Sequence, residues 1–154
     1  MKTKTIVSAL ALCLVATAVC FAANLHMGTW KLNEAKSKIA PGTGKNTTVV
    51  YEAVGNDIKV TVDGTGADGQ PTHNEWTGKF NGKFYAVTGD PTSDMRSYKV
   101  LNSHTMLLTI KKDGKVTITG RIVVSANGKT RTVTTMGTTG NGKKFRSVGV
   151  YDKQ

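Results

Sequence analysis

Cysteine is confined to the first 22 residues: Cys13 and Cys20 are the whole complement. If that segment is removed, no disulfide, zinc–thiolate site or thiol nucleophile is available, and the domain must stand on its own core. Histidine is scarce too. His26, His73 and His104 lie far apart, and no serine or aspartate sits in a recognisable nucleophile setting, so the chain does not read as an enzyme. His73 and Glu75 share one strand face as half of a metal site, but two ligands without a third do not make one; no metal and no cofactor is expected. Acids are few, ten against 21 lysines and arginines, for a formal charge of +11. The lysines are scattered beside turn glycines rather than striped with aromatics, which speaks for a soluble surface and against nucleic acid. A field of this sign still attracts an anionic ligand, lipopolysaccharide or an acidic polymer.

Long apolar runs are missing except at the start. Lys2 and Lys4 precede a nearly wholly apolar stretch from Ile6 to Val19, and Cys20-Phe21-Ala22 offers small residues at the −3 and −1 positions of a cleavage site. The run is shorter than the roughly 20 residues a bilayer core needs. Residues 1–22 therefore read as a secretory signal peptide and 23–154 as one exported domain, periplasmic or extracellular and not membrane-embedded. Val19 before Cys20 and Leu12 before Cys13 lack the small residue of a lipidation site, which disfavours a lipid anchor.

No later stretch sustains a 3.6-residue apolar period with caps. The one place for a helical turn is 33–39, where Asn33 caps Glu34-Ala35-Lys36-Ser37 before Pro41-Gly42-Thr43-Gly44 ends it. What the chain has instead is turns. Asn81-Gly82-Lys83, Asp113-Gly114-Lys115, Asn127-Gly128-Lys129 and Asn141-Gly142-Lys143 each separate alternating apolar and polar stretches. Asn-Gly and Asp-Gly best tolerate the positive φ of a type I′ hairpin, so each is predicted to be one. Ten strands follow, over 28–32, 47–54, 58–63, 72–80, 83–88, 95–101, 105–111, 115–125, 130–136 and 144–152. Short turns make sequence neighbours spatial neighbours, and closing the meander removes two exposed edges. The predicted fold is all-β, a single antiparallel up-and-down meander closed into a barrel.

Alternation assigns faces. Ile58, Val60 and Val62 point inward, as do Met106, Leu108 and Ile110, and Val116, Ile118, Ile122 and Val124 with Gly120 among them. Gly78, Gly120 and Gly149 are candidate bends. Small inward residues, Gly78, Ala86, Gly120, Ser147 and Gly149, favour an interior with room for a ligand over a filled core.

Gly28-Thr29-Trp30-Lys31-Leu32 resembles the Gly-x-Trp opening strand of the calycin superfamily, the lipocalins and fatty-acid-binding proteins. With Asn33 and Ala35-Lys36-Ser37-Lys38, it is similar to the head of small exported bacterial lipocalin-like proteins. Val150-Tyr151-Asp152-Lys153-Gln154 is similar to the last strand of fatty-acid-binding proteins. The resemblance implies structural roles for Gly28 and Trp30, the latter closing one barrel end beneath a cation, Arg121, Arg131 or Arg146. It also implies a ligand inside. Two departures qualify this: residues 33–46 are too short for a two-helix lid, and the Arg-x-Tyr pair that holds a carboxylate on the last strand is here Gly149 and Tyr151. Arg96-Ser97-Tyr98 offers the same spacing on another strand.

Candidate ligand-binding residues are Trp76, Arg96, Tyr98 and Tyr151. Trp76 either lines a cavity mouth, sharing a face with Asn74 and Phe80, or is an ordinary core residue. Arg96 and Tyr98 share a face with Val100; either that face is inward and receives an anionic head group, or Arg96 sits at the rim and pairs with Asp94 or Asp90, the placement favoured. The expected function is binding of a small hydrophobic or anionic amphipathic molecule by a monomer. The alternative is a filled-core, non-enzymatic envelope domain acting through its basic surface on an anionic macromolecule or a partner protein.

Overall fold

The computed structural model describes residues 24–154; the leader expected over 1–22 and its cleavage site lie outside the described residues. Ten strands follow in order: β1 (Gly28–Leu32), β2 (Lys45–Val54), β3 (Asp57–Thr65), β4 (Pro71–Gly78), β5 (Tyr85–Thr88), β6 (Met95–Asn102), β7 (Thr105–Lys112), β8 (Lys115–Val124), β9 (Thr130–Thr138) and β10 (Lys144–Lys153). Each pairs antiparallel with the next, and β1 closes the ring by pairing with both β2 and β10. Trp30 lies opposite Val49 on one side and Lys153 on the other. Between β1 and β2 stands one 3-10 turn, Glu34–Lys36, capped by the Asn33 side chain accepting from the Lys36 N–H. The expected helical turn and all-β meander are both present.

The turns are less uniform than the sequence suggests. Only Asp113-Gly114 has positive φ at both positions, 49° and 74°, as type I′ requires. At Asn127-Gly128 and Asn141-Gly142 only the glycine is left-handed, and its N–H bonds back to Ser125 or Thr139. The asparagine instead spends its side chain inside the loop: Asn127 Oδ1 accepts from the Lys129 N–H at 3.0 Å. Asn81-Gly82 makes no hairpin. Residues 79–84 run outside the β4–β5 pairing and lean on β6, with Asn81 bridged to Lys99.

A bulge in β8 corrects one face assignment. Ile110 pairs with Ile118 and Lys111 with Val116, so Thr117 is the extra residue, and one inserted residue reverses the facing of what precedes it. Val116 therefore points outward, 54% exposed. Ala86 is also exposed, against the inward placement expected, and Val100 lies at the exposed end of β6 rather than beside Arg96 and Tyr98 in the core.

Because neighbouring strands alternate in direction, loops sort to two ends. Gly28 and Lys153 share one end with the turns after β2, β4, β6 and β8; the turns after β1, β3, β5, β7 and β9 share the other. Packing differs between them. Towards the Gly28 end Trp30, Trp76, Val60, Met106 and Ile122 are buried, each contributing about 1.5–3 kcal/mol through apolar burial. Towards the opposite end the inward residues Leu32, Ile110, Ile118 and Phe145 are only half-buried.

Candidate functional site

Strand β6 carries Arg96 and Tyr98 inward, both buried. The Arg96 guanidinium donates from Nη2 to Asn74 Oδ1 at 3.1 Å, and the same nitrogen lies 3.6 Å from Asp90 Oδ2. Rim and interior readings thus each hold in part: the side chain is inside, yet a carboxylate from the β5–β6 loop reaches it. Asp94 is not the partner; its Oδ2 accepts from the Asp113 N–H at 2.7 Å. Arg96 Nε is buried without an acceptor among the described residues. The Arg96 carbonyl accepts from the Trp76 indole at 2.9 Å, which satisfies the one polar atom Trp76 brings into the core.

Aromatic rings surround this pair. Trp76 lies edge-on to Tyr98 with centroids 4.8 Å apart, Phe80 stacks on Trp76 at 6.2 Å, and Tyr51 meets Tyr98 at 6.1 Å. Each such contact adds about 0.5–1.5 kcal/mol beyond burial. Burial pushes the Tyr98 phenol well above its ordinary range, Tyr51 adding to the rise and the Arg96 cation opposing it. The phenol is therefore a neutral hydrogen-bonding group.

Across the interior β9 supplies a second guanidinium. Arg131 is buried, with its terminal carbon 5.0 Å from the Trp30 ring centre, 5.0 Å from Tyr51 and 4.8 Å from Tyr151. Of the three cations considered for Trp30, this one is in place; Lys153 also stands 5.2 Å from that ring. No carboxylate pairs with Arg131 among the described residues, and its Nε and Nη1 have no acceptor there. Tyr151 donates its hydroxyl to the Asn46 carbonyl at 3.0 Å. Burial pushes its pKa up to about 12, the nearby Arg131 opposing and Tyr51 assisting.

His26 packs beneath Trp30 at the Gly28 end, its carbonyl accepting from the Trp30 indole at 2.8 Å. Its ring is wholly buried with neither nitrogen partnered among the described residues. Burial lowers its pKa to about 4, helped by Arg131, His104 and Lys153.

Trp76, Arg96 and Tyr98 therefore form one contiguous group, and Tyr151 stands on the far wall with Arg131. Tyr51 joins the two. Tyr51 is the member sequence reasoning missed; Asn74 shares the Trp76 face as expected, and Asp90, one of the two aspartates expected for Arg96, is the one that reaches it. Alternation of Val49 and Tyr51 carries a signal for Tyr51. The small inward residues do not leave open space: a Cβ on Gly78 would meet the Tyr85 ring at 2.5 Å and one on Gly149 the Tyr151 ring at 2.9 Å. Ser147 is occupied by the loop, its Oγ accepting from the Ala40 N–H at 2.9 Å.

On the outer wall His73 Nδ1 lies 2.7 Å from Asp63 and Nε2 lies 3.9 Å from Glu75. Glu75 is held by Lys59 at 2.6 Å, which keeps its carboxyl below the usual range. No group of three histidine, cysteine or acidic residues suited to a metal occurs among the described residues.

The chain matches no protein-family model, and no curated protein matches it. Among solved structures it is similar to a redesigned β-barrel, with 18% identity over 88% of this chain and 97% of that one and a TM-score of 0.44. It is also similar to a redesigned β-barrel solved bound to DFHBI, with 20% identity over 86% of this chain and 98% of that one and a TM-score of 0.43. The closed barrel itself follows from this chain's own strand pairing.

Proposed function

We propose that this protein is an exported, non-enzymatic, lipocalin-like binder that receives the acidic head of a small amphipathic molecule in its barrel. One observation carries the reading: two buried guanidiniums face the interior against one nearby carboxylate, Asp90, and three of their nitrogens, Arg96 Nε and Arg131 Nε and Nη1, have no acceptor among the described residues. Buried donors without partners are costly, and an anion supplies acceptors and charge together. The half-buried apolar residues Leu32, Ile110, Ile118 and Phe145 at the opposite end suit the ligand's tail. Trp76 and Tyr151 serve as walls, Tyr98 as a neutral donor beside Arg96.

Titration with a fluorescent fatty acid and with its neutral alcohol analogue tests this. The acid should bind at micromolar concentration, and Arg96→Met should weaken it by about 1.5–3 kcal/mol, as for a charge-assisted hydrogen bond, while leaving the alcohol little affected. Absence of binding to the wild type by either probe would discard the reading in favour of a filled core. Export is tested separately, by whether periplasmic material begins near Ala23.

A further inference from the structure

The bulge at Thr117 has turned Val116 to the outside of the barrel, beside Met136. These are the two most exposed large apolar residues described, at 54% and 52%. Met136 is flanked across the sheet by Thr119 on β8 and Arg146 on β10. Together with Val116 and Lys144 they line a shallow depression of about 390 Å³. Its surroundings are basic. Lys112 lies directly opposite Lys115 at the tip of the β7–β8 hairpin, a like-charge pairing that is unfavourable without a counter-charge; Asp113 in the same turn forms no salt bridge with either among the described residues. Lys143 and Lys144 stand at the β9–β10 turn, and none of Lys112, Lys115, Lys143, Lys144 and Arg146 makes a salt bridge among the described residues. The acids of this chain that do pair are elsewhere, on Lys45, Lys59, His73, Lys79 and Arg96.

We propose that this face, the β8–β10 wall at the end away from Gly28, docks onto an anionic phospholipid surface. An apolar centre ringed by unneutralised cations matches the water–bilayer interface, where Val116 and Met136 enter the acyl boundary while lysine and arginine heads remain at the phosphates. A soluble polyanion would use the cations and leave the apolar centre in water. The proposal concerns the outer wall and holds whatever the interior contains.

Flotation with phosphatidylglycerol-containing and pure phosphatidylcholine vesicles at low salt tests it on the intact protein. The protein should float with the anionic vesicles alone. Lys144→Glu with Arg146→Glu should reduce partitioning by more than about tenfold, since each cation near such a surface is worth a factor of about five. The same charge change at the other end, Lys83→Glu with Lys129→Glu, should do much less. Val116→Ser with Met136→Ser should reduce partitioning several-fold and leave binding to heparin unchanged. These positions are on the surface, so unaltered melting curves are expected, and single variants Lys144→Gln and Met136→Ser give the same directions if a double variant fails to fold. The proposal is overturned if anionic vesicles are not bound, if the two charge-reversal pairs act equally, or if the serine variants bind vesicles as the wild type does.

Discussion

Arg131 places its guanidinium carbon 5.0 Å from the centre of the Trp30 ring, inside the barrel and with no carboxylate in reach among the described residues. The cation is held by ring faces alone: Trp30, Tyr51 and Tyr151 each stand within 5.0 Å, and a desolvated cation over an aromatic face contributes about 2 kcal/mol. The two partners should respond differently to truncation. Trp30→Ala removes one of the two largest fully buried side chains of the core and should destabilise by about 3–5 kcal/mol. Arg131→Met keeps the volume and removes an unpaired buried charge, so stability in urea should be unchanged or higher. A large loss for Arg131→Met would mean that the three ring faces outweigh the cost of burying the charge.

Asp90 and Asn74 hold Arg96 from two elements, a loop and β4, at 3.6 and 3.1 Å. Asp90→Asn leaves the guanidinium buried with neutral partners and should cost about 1–3 kcal/mol. Adding Arg96→Met should recover most of that loss, because the buried charge goes with its partner. A double-mutant cycle by urea denaturation measures the coupling; additive losses would show that the pair does not interact.

The strand plan was legible because alternation reports burial directly: a residue such as Val60 between Lys59 and Thr61 has one face to choose. Legibility failed where the period slipped. Thr117 inserts into β8 and moves Val116 to the outer wall, and nothing in Lys115-Val116-Thr117-Ile118 announces the bulge. Turn type failed for a related reason, since an asparagine side chain that accepts a loop N–H, as at Asn127, competes with the backbone conformation that Asn-Gly favours. For the candidate site, Arg96 and Tyr98 on one face are readable, and so is an aspartate from the preceding loop as partner of Arg96, whereas the choice of Asp90 over Asp94 is made by a loop path that no spacing rule describes.

His26 should make stability fall in mild acid. In the fold its ring is neutral, with a pKa of about 4 against an ordinary 6.5, and it faces Arg131, His104 and Lys153. The unfolded chain therefore binds the extra proton first as pH drops, so the contribution is full above pH 6.5 and is lost down to about pH 4. The loss should be about 2 kcal/mol after allowance for screening by water at the barrel end. His26→Leu should flatten the urea midpoint across this range. An unchanged slope would assign the acid sensitivity to carboxylates instead.

Tyr151 and Tyr98 set the alkaline limit. Both phenols are raised by burial, Tyr151 to about 12 from an ordinary 10, so the native state keeps protons that the unfolded chain releases. Their contribution is whole below pH 10 and declines as pH rises towards 12, by about 2–3 kcal/mol for Tyr151. Tyr151→Phe should remove that part of the decline while forfeiting the bond to the Asn46 carbonyl, a loss of about 0.5–1.5 kcal/mol at neutral pH. The same protonation bears on binding: at neutral pH an incoming carboxylate meets guanidiniums and neutral phenols rather than a phenolate. Binding of the fatty-acid probe should therefore hold steady from pH 7 to 9. A loss of affinity within that range, followed by fluorescence titration, would place a phenolate in the interior and count against Tyr98 as a donor beside Arg96.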